Sequence, residues 1–213
     1  MNVCITTHTG KQFDLQDPNP ALVDIEDIAW ALSNLCRFVG HTPTFYSVAE
    51  HSALVASVLL EKTRDPVWAM AGLLHDAHEA YMGDIPQPLK NLIGLEHINV
   101  IAGRLDMAVV KGLDILPNRS GLPIILSQMW SREMQQADLW TFYWERYHFM
   151  NGPRPGSMLD PMREIKQEAE PAPESKRSDL VDMDGWIHAL NPEAAMKHFM
   201  RSYQTLLTQI RNK

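Results

Sequence analysis

Ala71-Gly72-Leu73-Leu74-His75-Asp76-Ala77-His78-Glu79, running on through Ala80-Tyr81-Met82-Gly83-Asp84-Ile85-Pro86-Gln87-Pro88-Leu89-Lys90, decides the reading of this chain. Ala69, Met70, Leu73, Leu74, Ala77 and Ala80 recur at helical intervals after Asp65-Pro66, where proline is tolerated at the first helical position. Gly83 to Pro88 is expected to stop that helix. Aspartate is a poor residue inside a helix, so a His75-Asp76 pair directly after an apolar stripe needs a chemical reason. Imidazole nitrogen and carboxylate oxygen are standard ligands for a divalent transition ion. Adjacent helical positions project about 100° apart and can converge on one ion. Glu79, four residues after His75, is expected about 40° around the same face.

Further ligands must come from other helices. Upstream, Ser47-Val48-Ala49-Glu50 is a capping box that opens a helix carrying His51 beside Val48, Leu54 and Val55. Downstream, Asp138 shares a stripe with Trp130, Met134 and Thr141 on a helix expected from Ile124 to His148. A carboxylate on such a stripe is costly to bury unless it is paired or metal-bound. Taken singly, His51 is an ordinary core histidine and Asp138 an ordinary surface group. Together, His51, His75, Asp76 and Asp138 make a four-ligand set with room for water and a substrate oxygen.

The rest of the chain reads as one almost all-α domain, residues 1–213. Val3 to Leu15 suggests a short β-hairpin around Thr9-Gly10-Lys11. Asp24 caps a first helix expected to end near Arg37 to Gly40, and a fourth helix spans roughly Glu96 to Leu113. The core is expected over about 24–148. Residues 151–184, rich in proline, glutamate, serine and arginine, read as a mobile insertion, and Asn191-Pro192-Glu193 starts a last helix to about 211. Trp30, Trp130, Trp140 and Trp144 read as core.

Composition narrows function. With 19 Lys+Arg against 26 Asp+Glu the net charge is −7, a poor match to sequence-independent nucleic-acid binding. The apolar run Ala53 to Leu60 is far too short to cross a bilayer, and the first residues lack the pattern of a secretory signal. Two cysteines, Cys4 and Cys36, make no disulfide framework, so a cytoplasmic setting is expected.

The order His51, His75-Asp76, Asp138 resembles the HD-domain metal-dependent phosphohydrolases. The run His75 to Lys90, Cys36-Arg37-Phe38 and Phe45 to Ser52 are similar to the matching stretches of bacterial 5′-deoxynucleotidases and phage dATP triphosphohydrolases. The resemblance covers about residues 24–145. It implies an HD-domain helical bundle, one divalent ion (Mn, Co, Fe, Ni or Zn) on the four ligands, and hydrolysis of a nucleotide, preferentially a deoxynucleotide. It implies that Glu79 and Asp84 position or deprotonate the attacking water and that Arg37 and Lys90 meet phosphate oxygens. Phe38 stands where those deoxynucleotidases carry a sugar-packing tryptophan, and the His51 to His75 spacing is shorter than theirs. Glu79 followed by Ala80 argues against hydrolysis of guanosine tetraphosphate. His41, in the loop before the second helix, is a further candidate for a phosphate contact. His78 is expected on the outer face of its helix, and no pattern for a second metal is legible. A homo-oligomer is expected from the family. Competing readings are a non-catalytic metal-bound regulatory or oligomerisation module, and a phosphodiesterase or nuclease.

Overall fold

Ser47 opens the element on which the others pack. Its hydroxyl accepts from the Glu50 amide while the Glu50 carboxylate accepts from the Ser47 amide, and α2 (Val48–Thr63) follows. This computed structural model describes residues 3–116, 121–150 and 187–212, with only the backbone of 121–123. The insertion expected at 151–184 lies outside the described residues.

The N-terminal hairpin is present: β1 (Cys4–Thr6) pairs antiparallel with β2 (Gln12–Asp14), Ile5 opposite Phe13. Phe13 is fully buried and stacks on Tyr81. Among the described residues this is the whole sheet, and everything else regular is helical.

Asp24 caps α1 (Ile25–Asn34) as expected, but α1 stops before Arg37. The reason is the extended backbone at Cys36, which bridges to Ser47. Arg37 N donates to Tyr46 O at 2.9 Å and Val48 N to Leu35 O at 3.1 Å. The excursion 37–46 is thereby closed at its base, and Arg37 is held beside the start of α2.

α3 (Pro66–Leu74) packs along α2. The approach is close at Gly72, where an added Cβ would meet Leu59 Cδ1 at 2.7 Å and Ala56 Cα at 3.1 Å. The long third helix expected from the periodicity is broken after Leu74 and resumes only as α4 (Glu79–Met82). The expected stop is met at Gly83, which ends α4, and beyond it Pro86 and Pro88 sit at the start of a short α5 (Gln87–Ile93), which runs into α6 (Leu95–Leu113) across Gly94. The expected helix from Ile124 to His148 is two, α7 (Gly121–Met129) and α8 (Arg132–Phe149). Ser131 divides them by capping α8 through the Met134 amide.

α9 (Pro192–Arg211) lays Ala195, Phe199, Tyr203, Leu206 and Ile210 over α1, α2 and α3 and closes the core. The core includes Ile28, Leu32, Tyr46, Leu54, Leu59, Met70, Leu73, Leu105 and Phe199, all fully or almost fully buried. Trp30 and Trp130 are not in it, being 42% and 53% exposed. Trp30 lies flat on the His8 ring, and Trp140 and Trp144 are half-buried and stacked on each other. No helix among the described residues is long and apolar enough to cross a membrane.

Candidate metal centre

The break after α3 builds the centre. Between Leu74 and Tyr81 the backbone bonds tighten to three-residue steps: Ala77 N to Leu74 O, Glu79 N to Asp76 O, Ala80 N to Ala77 O and Tyr81 N to His78 O. In such a tight turn residues three apart eclipse. Glu79 therefore falls in line with Asp76, not with His75 as a continuous helix would have it.

His75 sits at the end of α3, where its Nδ1 donates to Gly72 O at 2.8 Å. His51, fully buried on α2, donates from Nδ1 to Glu145 Oε1 at 2.7 Å. A carbonyl and a carboxylate can only accept, so each neutral ring keeps its lone pair on Nε2. Those two Nε2 atoms converge with the carboxylates. Asp138 Oδ1 is 2.9 Å from His51 Nε2 and 3.9 Å from His75 Nε2. Asp76 Oδ2 is 3.1 Å from His75 Nε2 and 3.7 Å from His51 Nε2.

Both Nε2 atoms are buried, and neither has a partner with hydrogen-bond alignment, despite these short distances. Buried nitrogens held against carboxylate oxygens without hydrogen-bond alignment have the chemistry of a metal donor set. Two imidazoles and two carboxylates suit a divalent transition ion better than Mg²⁺ or Ca²⁺, which prefer oxygen alone. The residues can therefore hold a metal ion. Asp138 is 45% exposed and marks the side open to solvent.

Electrostatics follow the crowding. Before an ion binds, burial opposes a charged His75, but Asp76 and Asp138 overcome it and lift its pKa to about 9, so a metal binding there displaces a proton from Nε2. Burial and Arg37 oppose a charged His51, yet Glu145 and Asp138 raise its pKa. Burial would raise Asp76, while the His75 and His51 rings hold it far below the usual carboxylate range. Glu79 is pushed up to about 9 by burial and by Asp76 and Asp84.

The other expected site residues divide. Lys90, on α5, reaches Glu79 with Nζ 4.0 Å from Oε1. Asp84, beyond Gly83, lies in the field of Arg37, Asp76 and Lys90, with burial raising its pKa. Arg37 is occupied: Nε and Nη2 donate to Glu145 Oε2 at 3.2 and 2.9 Å. Phe38 stacks on Phe142 with 5.6 Å between ring centroids, and the Arg37 guanidinium lies 5.4 Å from its ring. His41 is exposed, bonded only through its backbone amide to Phe38 O, and the structure does not bring it into the cluster. His78 is not on an outer face; its Nδ1 donates to Asp106 Oδ1 at 2.9 Å.

Glu145 is the residue that sequence reasoning missed. Fully buried, it accepts from His51, Arg37 and the Tyr46 hydroxyl, the last at 2.9 Å. Burial would raise its pKa, but Arg37 and His51 hold it low. The available signal was spacing: Glu145 lies two helical turns beyond Asp138, and it shares the buried stripe of Met134, Ala137 and Thr141.

Comparison with known proteins places relatives beside this geometry without naming an activity. No family model matches the chain. It is 45% identical over 89 residues to the uncharacterized protein YfdR of Escherichia coli strain K12, a match covering 42% of this chain and 47% of that protein. It is 38% identical over 135 residues to the uncharacterized protein RCAP_rcc00048 of Rhodobacter capsulatus, covering 61% of this chain and 64% of that one. The chain thus spans less than two thirds of each of these relatives, and what it shares with them is similarity over the part matched.

Proposed function

We propose that this protein is an HD-domain phosphohydrolase that uses a divalent metal to hydrolyse nucleotides, preferentially deoxynucleotides. The observation that carries the reading is the convergence of the buried Nε2 atoms of His51 and His75 on the Asp76 and Asp138 carboxylates, close to them but without hydrogen-bond alignment. A divalent ion such as Mn²⁺, Co²⁺, Fe²⁺, Ni²⁺ or Zn²⁺ held there supplies charge neutralisation for a phosphoryl group and acidifies water.

The chain's own groups do the rest. Glu79 and Asp84 are carboxylates beside the ligands, placed to orient the attacking water or take its proton; beside a bound cation the Glu79 carboxyl would be drawn down from about 9 toward its ionised form. The Lys90 ammonium and the N–H groups of Arg37 not used on Glu145 neutralise phosphoryl charge. The Phe38 ring, beside Arg37, offers a flat apolar wall to the sugar. Glu145 positions both His51 and Arg37 and touches neither metal nor substrate. The reading includes a reducing cytoplasm, in keeping with a chain that carries only two cysteines, and a homo-oligomer, for which Leu92, Ile93, Val100 and Ile101 expose apolar surface.

The test is product identification. The protein is incubated with Mn²⁺ or Co²⁺ and with dAMP, dATP, AMP or ATP, and products are separated by ion exchange. Inorganic phosphate from dAMP identifies a nucleotidase, and intact triphosphate from dATP a triphosphohydrolase. No product from any of the four with metal bound overturns the reading. Glu79→Gln should abolish turnover while the His51/His75 ion is retained; unchanged turnover would remove Glu79 from the catalytic set, whereas a metal-bound wild type without turnover is what a non-catalytic module predicts.

A further inference from the structure

The first centre leaves His78 unused, yet the fold anchors His78 as carefully as the two ligand histidines. Asp106 on α6, almost wholly buried, accepts from His78 Nδ1 at 2.9 Å, and Trp130 Nε1 lies 3.4 Å from the other Asp106 oxygen. An acceptor at Nδ1 keeps the neutral ring's lone pair on Nε2. Glu145 does the same for His51 and the Gly72 carbonyl for His75. Outer groups of this kind are the usual accompaniment of metal-ligating histidines.

The neighbours of His78 complete a donor set. A ring nitrogen of His78 and one oxygen each of Asp76 and Glu79 lie within 4.8 Å of one another. Glu79 adds an independent sign. It is only 5% exposed, Lys90 approaches Oε1 no closer than 4.0 Å, and Oε2 is buried with no hydrogen-bond partner. Burying a carboxylate oxygen without a partner is costly, and a cation removes that cost.

We infer that Asp76, His78 and Glu79 form a second divalent-cation site, with Asp76 shared between it and the first. The inference rests on the reading of His51, His75, Asp76 and Asp138 as the first site. An aspartate has two oxygens, so one can face each ion. The imidazole again favours Mn²⁺, Co²⁺, Fe²⁺ or Zn²⁺ over Mg²⁺. Paired ions clamp both the attacking and the leaving oxygen of a phosphoryl displacement. Glu79 then holds a cation, and Asp84 is the neighbouring carboxylate that takes the proton.

Metal stoichiometry tests this without recourse to activity. The full chain is stripped with chelator, dialysed to equilibrium against Mn²⁺, and its bound metal counted and examined by electron paramagnetic resonance. Wild type should bind two Mn²⁺ per chain with the signature of an exchange-coupled pair. His78→Asn keeps an amide donor for Asp106 but has no ring nitrogen; it should bind one Mn²⁺ with an uncoupled six-line spectrum and wild-type circular dichroism. His78→Gln is the second variant should His78→Asn not fold. One Mn²⁺ in wild type, lost in His51→Asn, overturns the second site and leaves the first standing. Two coupled ions in both wild type and the His78 variant also overturn it. No bound Mn²⁺ in wild type overturns both.

Discussion

Glu145 is where one side chain governs the most. It faces an imidazole, a guanidinium and a phenol from full burial, so removing its charge leaves Arg37 buried without its ion-pair partner. Breaking a buried pair on one side costs about 3–5 kcal/mol. Loss of a second-layer partner typically costs about 10–100-fold in metal affinity. Glu145→Gln should therefore lower the urea midpoint and weaken Mn²⁺ binding in dialysis; wild-type values in both would remove Glu145 from its positioning role. Val39 presents the opposite case. It is 64% exposed, yet with φ of 55° it follows Phe38 into the left-handed region. A β-branched residue is poorly suited to that backbone, which costs about 1–2 kcal/mol for an L-residue, while glycine adopts it freely. Val39→Gly gives back part of the gain through a more flexible unfolded chain. A net stabilisation of up to about 1 kcal/mol is expected in thermal unfolding, and a lowered midpoint would show that no strain is stored there.

At the scale of elements, two joints hold the scaffold. Glu50 closes the capping box of α2 and also accepts from the Leu190 amide at 2.6 Å, tying the entry of α9 to the start of α2. Glu50→Ala should cost about 1–3 kcal/mol in denaturant unfolding, since it leaves buried donors unsatisfied. The second joint is Gly72, where α3 approaches α2 too closely for a side chain. Gly72→Ala should destabilise by about 1–3 kcal/mol through overpacking, despite alanine's better helix propensity. A stabilised variant would mean that the helices separate easily. The same close packing brings His75, just past the end of α3, to within ring contact of His51 on α2, with centroids 5.3 Å apart.

Across the whole molecule, the centre gathers α2, the α3–α4 turn and α8 around one point. A ligand that binds only the folded state stabilises it by mass action, about 2.7 kcal/mol at a hundredfold excess over Kd. For a chain of this size that corresponds to a rise of roughly 5–10 °C in Tm. Adding Mn²⁺ or Co²⁺ to chelator-treated protein should raise Tm by that amount, and the rise should vanish in His51→Asn. An unchanged Tm with wild-type protein would argue that no metal bridges these elements.

Local chemistry was enough to make much of this legible from the residues alone. The Asp24 cap, the Ser47–Glu50 capping box, the amphipathic face of α9 and the N-terminal hairpin all follow from interactions within a few turns of chain. That His51, His75, Asp76 and Asp138 belong together was expected from their order along the chain and the resemblance it carries, and the structure brings them to one point. Tertiary structure alone decided the rest. The tight turn after Leu74, which aligns Asp76 with Glu79, and the inward turn of His78 are not periodicities; periodicity sees a continuous helix through Ala80. Glu145 meets His51 across 94 residues of sequence, and Asp106 meets His78 across 28. A helix's own register says which side chains share a face. Only the packing of distant elements says which face meets which, and therefore which buried charge finds its partner.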